Sequence, residues 1–179
     1  LTFTSSEVTT NFVVTDITVT NGALSSFAGS GKNYTATFTA TADGATTIDV
    51  IAGKFTDAYG NQNDASNTYN WIQDDTSPTG AITYSAASPY KQNATATVTA
   101  TFTEALTTTP KIAISGVSSV AATNMSGSGT TWTYTYTAPA GDGTDTFAFS
   151  VGTDASGNVV TAAPTSGATV TVDNTSRSL

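Results

Sequence analysis

The six residues "TDAYGN" at Thr56–Asn61 return as "TDASGN" at Thr153–Asn158. In each, the aspartate offers carboxylate oxygens, the glycine permits a sharp turn, and the asparagine adds an amide oxygen while tolerating left-handed backbone. Oxygen donors gathered this densely suit a hard divalent cation, calcium above all, which takes six to eight oxygens in loose geometry. A plain Asx-type turn uses the same residues without metal, so the tetrad alone leaves both readings open. Other acidic residues recur with it. Glu7 and Glu104 end early strands ("FTSSE", "TATFTE"), while Asp74 and Asp173 mark the exits "DDTS" and "DNTS". Three carboxylates drawn to one pole of a domain repel one another unless a cation bridges them, which would couple binding to the rigidity of the linker. Histidine and cysteine are both absent. That removes the commonest general base, thiolate nucleophiles, disulfides and structural zinc sites. Catalysis is not expected. The acid pair Asp142 and Asp145 in "GDGTD" reads as solvated turn residues.

The elements that must position these residues are written in period two. "NYTATFTAT" sets Tyr34, Ala36 and Phe38 against Thr35, Thr37 and Thr39, and "TWTYTYT" sets Trp132, Tyr134 and Tyr136 against threonines. "ATATVTATF" and "TFAFSV" continue the pattern with Ala96, Val98, Ala100 and Phe102, then Phe147, Phe149 and Val151. Apolar residues alternating with β-branched threonine predict half-buried antiparallel strands. Turn signals ("NG", "GSG", "ADG", "GDG") punctuate them at short intervals, and no segment holds a helical period. The expected fold is all-β, a sandwich of short strands.

The two halves align as an internal repeat. Glu104 lies 97 residues after Glu7, as Asp154 does after Asp57. "GSGKNYTATFTATADGATTIDV" matches "GSGTTWTYTYTAPAGDGTDTFAF" with a residue of slip, and "DDTSPTG" matches "DNTSRSL". The expected domains are therefore 1–73 and 78–173, with a linker at 74–77 and a further linker or domain opening at 174–179. Pro78 stiffens the first joint. Leu1 aligns with Val98, so the first copy has no counterpart of Pro78–Thr97 and lacks the strand "AITYS". This is the pattern of a window from a longer array whose first domain is incomplete, with a strand edge exposed.

The stretch "FTSSEVTTNFVVTDITVTNGALSSFAGSGKNYTATFTATADGATTIDVIAGKFTDAYGNQNDAS" resembles the bacterial immunoglobulin-like domains found in tandem in large surface adhesins and biofilm-associated proteins. Similar modules occur in bacteriophage virion proteins. The second half resembles a more diverged member through "FTEAL", "TDASGN" and "VDNTS". The resemblance implies two tandem immunoglobulin-like antiparallel β-sandwiches in a non-catalytic spacer, stalk or adhesive role at a bacterial cell surface. It implies neighbouring repeats of the same chain as partners, and calcium at the junctions. Glu7, Asp57, Asp74 and Asp75 would serve the first junction; Glu104, Asp154 and Asp173 would serve the second. Asn174 in place of Asp75 makes the second junction less acidic, and Arg177 in place of Pro78 makes it less rigid.

Two rival settings follow from the same residues. One is a virion decoration or fibre module making weak repeated contacts with a host surface. The other is a carbohydrate-binding module with Trp71 of "NTYNWIQDD" as the glycan contact, a role that competes with core packing. Trp132 shares its face with Tyr134 and Tyr136 and is expected in the core. An intramolecular lysine–asparagine crosslink through Lys91, Glu104 and Asn158 would need a buried lysine, whereas Lys91 lies in the polar loop "SPYKQN". The formal net charge of −8, from 5 basic against 13 acidic residues, opposes nucleic-acid binding. No apolar run reaches the length of a membrane span.

Overall fold

A computed structural model describes residues 1–176. Residues 177–179, including Arg177 and the last of the stretch expected to open a further domain, lie outside the described residues. The chain divides into two compact units, Leu1–Asp75 and Thr76–Leu179.

Unit 1 carries β1 (Thr2–Thr9), β2 (Thr18–Thr20), β3 (Gly22–Ala40), β4 (Gly44–Asp49) and β5 (Tyr69–Gln73). β1 pairs antiparallel with β3, and a second sheet has the order β2-β4-β5. Along β3, Tyr34 and Ala36 are buried while Thr35 and Thr37 are exposed, as alternation requires. Phe12 is the hub of the core. The rings of Phe3, Phe27, Tyr34 and Phe55 have centroids 5.9, 5.6, 5.0 and 4.9 Å from it.

Unit 2 carries β6 (Gly80–Tyr84), β7 (Thr95–Leu106), β8 (Pro110–Gly116), β9 (Ser119–Asn124), β10 (Ser126–Thr137), β11 (Gly143–Val151) and β12 (Thr169–Val172). They form two antiparallel sheets, β10-β7-β6 and β12-β11-β8-β9. Val98 and Tyr136 from one sheet join Ile112, Phe147, Phe149 and Val172 from the other in a single buried cluster. Two antiparallel sheets closing on one apolar core are a β-sandwich. Trp132 is buried in it, 7% exposed, with its indole N–H donating to the Gly129 carbonyl at 3.0 Å.

The repeat is visible in backbone chemistry. Gly29 and Gly127, at φ +136° and +153°, each begin a "GSG" bend. A Cβ at either would fall 2.3 Å from the carbonyl oxygen four residues on, that of Asn33 or Thr131. Only glycine allows so close an approach. The two copies differ at the start of the strand equivalent to β4. In unit 2 the Asp145 carboxylate is wholly buried and accepts bonds from the Ser118 N–H (2.6 Å), the Tyr136 hydroxyl (2.7 Å) and the Ser118 hydroxyl. Its place in unit 1 is taken by Thr46, also wholly buried, which the Asn21 amide reaches at 3.5 Å.

Two sequence expectations are corrected here. Asp145 is not a solvated turn residue: it is the acceptor at the centre of a buried polar cluster, which period-two patterning cannot show. Val151 does not continue the inner face of Phe147 and Phe149. It is 49% exposed at φ +70°, a left-handed residue that breaks the alternation where β11 ends.

Removing the Asp145 carboxylate would leave three buried donors without an acceptor, each costing about 1–3 kcal/mol. Asp145→Ala is therefore expected to destabilise unit 2 by more than Tyr136→Phe, which costs about 1 kcal/mol. Urea midpoints of the two single variants and the double variant check this, and the double variant should lose less than the sum.

Candidate functional site

The two acidic turns are the same device built twice. In unit 1, one Asp57 oxygen accepts from the backbone N–H groups of Tyr59 (2.8 Å) and Asn61 (2.9 Å), and the other from the Asn61 amide (2.8 Å). In unit 2, one Asp154 oxygen accepts from the N–H groups of Ser156 (2.8 Å), Gly157 (2.7 Å) and Asn158 (2.9 Å), and the other from the Asn158 amide (3.0 Å). Main-chain bonds close each loop, Asp57 N–H to Asn61 carbonyl at 3.0 Å and Asp154 N–H to Asn158 carbonyl at 3.2 Å. The Asx-turn chemistry is thus present in full, and the aspartate organises the loop whether or not a cation is held.

These bonds hold both carboxyls below their ordinary value. For Asp57 the Asn61 amide is the largest cause, followed by backbone N–H groups. For Asp154 burial is the largest single influence and pushes upward, but the Asn158 amide and three backbone N–H groups together outweigh it. Both aspartates are therefore anionic at neutral pH.

Glu104 is partly buried on β7 and Asp154 is 4% exposed. They bring carboxylate oxygens within 4.8 Å of one another. Thr107, which follows β7, holds the turn to the strand. Its N–H and hydroxyl donate to the Thr153 carbonyl (2.7 and 3.1 Å), and its hydroxyl also donates to the Asp154 carbonyl (2.8 Å). The Thr153 N–H returns a bond to the Thr108 hydroxyl at 2.7 Å. The segment ahead of β6 is anchored beside them. Pro78 is fully buried with its carbonyl accepting from Thr161 N–H at 3.0 Å, and Thr79 exchanges bonds with Thr103, the neighbour of Glu104.

The remaining expected ligands are placed as follows. Glu7 is exposed on β1, two residues from Thr9, which bridges Asp57. Among the described residues neither Glu7 nor Asp57 falls in a group of three acidic side chains at ligand spacing. Asp75 is tied locally, accepting from the Gln73 amide at 2.9 Å and donating its N–H to Asp43 at 2.7 Å. Asp173 accepts from Thr175 N–H at 3.0 Å. Asp74 ends the strand side of the linker, one residue before Asp75. Trp71 is half-buried against Phe38 (centroids 5.0 Å, edge to face), with its indole N–H on Gln73 at 3.3 Å.

Sequence reasoning missed a second pair of functional acids. The Asp142 carboxylate accepts from Asn174 N–H (2.5 Å) and the Thr175 hydroxyl (2.6 Å), and these bonds, the hydroxyl's foremost, hold its pKa below the ordinary value. In unit 1 the Asp43 carboxylate likewise accepts from the Asp75 N–H at 2.7 Å. Each "DDTS" or "DNTS" exit is therefore clamped by the aspartate of the preceding hairpin turn. Asn174 adds its own side chain, taking Gln92 N–H at 2.5 Å and donating to the Gly141 carbonyl at 2.5 Å. The available signal was positional: "ADG" and "GDG" recur at the same distance before the exits.

The fold and these turns define a class of antiparallel β-domain whose acidic residues shape loops and linkers. Residues 1–72 match the family model described as the bacterial Ig-like domain, so the first unit is similar to that family. Such domains are typically non-catalytic and commonly extracellular. No curated protein and no solved structure matches the chain.

A lowered carboxyl stabilises the fold above its unfolded pKa and loses that contribution as pH falls through the folded value. For Asp154 the loss is expected to begin below about pH 3.8, its unperturbed value. The melting temperature of unit 2 followed from pH 5 downward should fall in that window, and Asp154→Asn should flatten the fall while lowering the plateau at neutral pH.

Proposed function

We propose that the chain is a pair of structural modules from an extracellular surface protein, serving as a spacer or stalk, with calcium stiffening the place where the linker enters unit 2. The observation that carries this reading is the Glu104–Asp154 pair, two carboxylates with oxygens within 4.8 Å. Like charges at that spacing call for a proton or a cation between them. Asp154 is held in its charged form, which favours the cation. The donors are all oxygen, the set calcium prefers, and the threonine-tied backbone around them keeps the pole in shape. Asp74 is the next ligand in this reading. It stands four residues ahead of the anchored Pro78, so the chain keeps it within about 14 Å of that proline at ~3.6 Å per residue. A cation held jointly by linker and domain would restrict the hinge, and a string of such joints would make a stiff rod.

Extracellular calcium sites bind at roughly 10⁻⁴–10⁻³ M. With free calcium ~100-fold above the dissociation constant, one site adds about 2.7 kcal/mol. At several degrees per kcal/mol for domains of this size, the shift is large enough to read directly. Thermal unfolding in excess EDTA and then in millimolar calcium, with magnesium as control, is expected to show a calcium-specific rise. Glu104→Gln should reduce that rise while leaving the melt in EDTA nearly unchanged. Equal melts with and without calcium would overturn the cation reading and leave two rigid turns beside a flexible linker.

A further inference from the structure

We propose that Asn21–Gly22, the turn between β2 and β3, is a modification site. Asn21 deamidates by attack of the Gly22 nitrogen, the folded turn holds this reaction back, and its product unlatches the turn at 42–44 that clamps the exit from unit 1. Asn21 is the one asparagine in the chain that is followed by glycine. The structure demands both residues. Asn21 sits at φ +54°, left-handed backbone that asparagine tolerates better than most residues. A Cβ at Gly22 would fall 2.0 Å from the Phe38 ring and 2.7 Å from the Thr39 carbonyl oxygen. That ring is itself packed edge to face on Trp71, so only glycine fits beneath it. The attacking nitrogen therefore belongs to the residue that shields it least. Asn93 is left-handed too, at φ +66°, and exposed, but alanine follows it.

The step needs only water. The Gly22 nitrogen loses its proton and bonds to Asn21 Cγ, the Cγ–Nδ2 bond breaks, and ammonia leaves behind a cyclic imide. Water then opens the ring to aspartate or to isoaspartate. Folding opposes ring closure by pinning the amide at both ends. Nδ2 donates to the Ala42 carbonyl at 2.7 Å and the Gly44 carbonyl at 3.4 Å, and reaches the hydroxyl of the wholly buried Thr46 at 3.5 Å. Oδ1 accepts from the Thr41 hydroxyl at 3.3 Å. The side chain must leave these partners to turn onto its own main chain, so reaction waits on local opening of the turn.

The product reverses the chemistry of the latch. A carboxylate has no proton to give, so the Ala42 and Gly44 carbonyls lose their donor and face an anion instead. Those two residues flank Asp43, whose carboxylate accepts from the N–H of Asp75, the last residue of unit 1. A second negative charge is thus added to a turn that already carries one. The isoaspartyl product also lengthens the main chain by a methylene, at a residue whose carbonyl takes the Thr41 N–H at 3.1 Å. Either product loosens the 42–44 turn, and through Asp43 the exit segment. This inference is independent of calcium.

The test ages the whole 179-residue chain in mildly alkaline buffer, folded and in urea, and follows each asparagine by peptide mass mapping with enzymatic methylation of isoaspartate. In urea Asn21 is expected to convert before any other asparagine, and in the folded chain several-fold more slowly. The converted chain should show a lower melting transition for unit 1 and faster amide exchange at Asp75, with unit 2 unchanged. Asn21→Asp should reproduce both effects without ageing. Asn21→Gly keeps the left-handed backbone but has no amide to give or lose. It should show fast Asp75 exchange from the start and no change with age. Equal conversion in the folded and unfolded chains, or no preference for Asn21 in urea, would overturn the proposal. So would unchanged Asp75 exchange in the converted chain and in both variants, which would leave Asn21 uncoupled from the exit.

Discussion

A sandwich of two short sheets holds its core dry only where both open sides are covered. In unit 2 the chain does this itself. β6 extends the β10-β7 sheet, and the segment that follows crosses to β12 through Tyr90 and Val172. Ile82 N–H reaches the Ser166 carbonyl at 3.0 Å and the Tyr84 hydroxyl the Gly167 carbonyl at 2.6 Å, so the same strand is also tied to the segment that leads into β12. The complete burial of Val98, Ala100 and Ile112 depends on that closure. Apolar area removed from water stabilises at about 25 cal/mol per Å², so a missing cover strand costs a domain much of its core. In unit 1 the core is an aromatic cluster around Phe12.

Acidic residues have three distinct employments in this chain. Asp57 and Asp154 gather the amides of their own loops. Asp43 and Asp142 hold the segments that leave each domain. Asp145 sits inside the core of unit 2 and gives the Tyr136 hydroxyl and Ser118 a common acceptor. Burial first, and the bond to Asp145 second, push the Tyr136 hydroxyl above its ordinary value, so it remains a donor throughout the physiological range. Most of these contacts are charge-assisted bonds to backbone N–H or hydroxyl groups, which are stronger than neutral ones and need no basic partner. A chain with 13 acidic and 5 basic residues can be well ordered on that basis.

The same economy bears on the cation reading. Asp154 spends its oxygens on four donors before any metal arrives, so a cation would add to an existing turn rather than create one. Pre-organisation of this kind lowers the ordering cost of binding. It also explains why the tetrad alone could not separate turn from ligand: the residues that suit one chemistry suit the other.

The sequence by itself determined the all-β class, the inner and outer faces of the long strands, and the repeat. Each of these is a local or periodic property. Threonine alternating with an apolar residue has one low-energy solution, and glycine at a positive φ has few substitutes. Tertiary structure alone decided which carboxylates meet. Glu104 and Asp154 are 50 residues apart, Asp142 and Thr175 33, and Ser118 and Asp145 27. Their meetings depend on sheet order and hairpin placement, which alternation does not encode. For the same reason Asp145 looked solvated in its "GDGTD" turn and Val151 looked buried. A single left-handed residue ends one pattern, and a single long-range acceptor reverses the meaning of another.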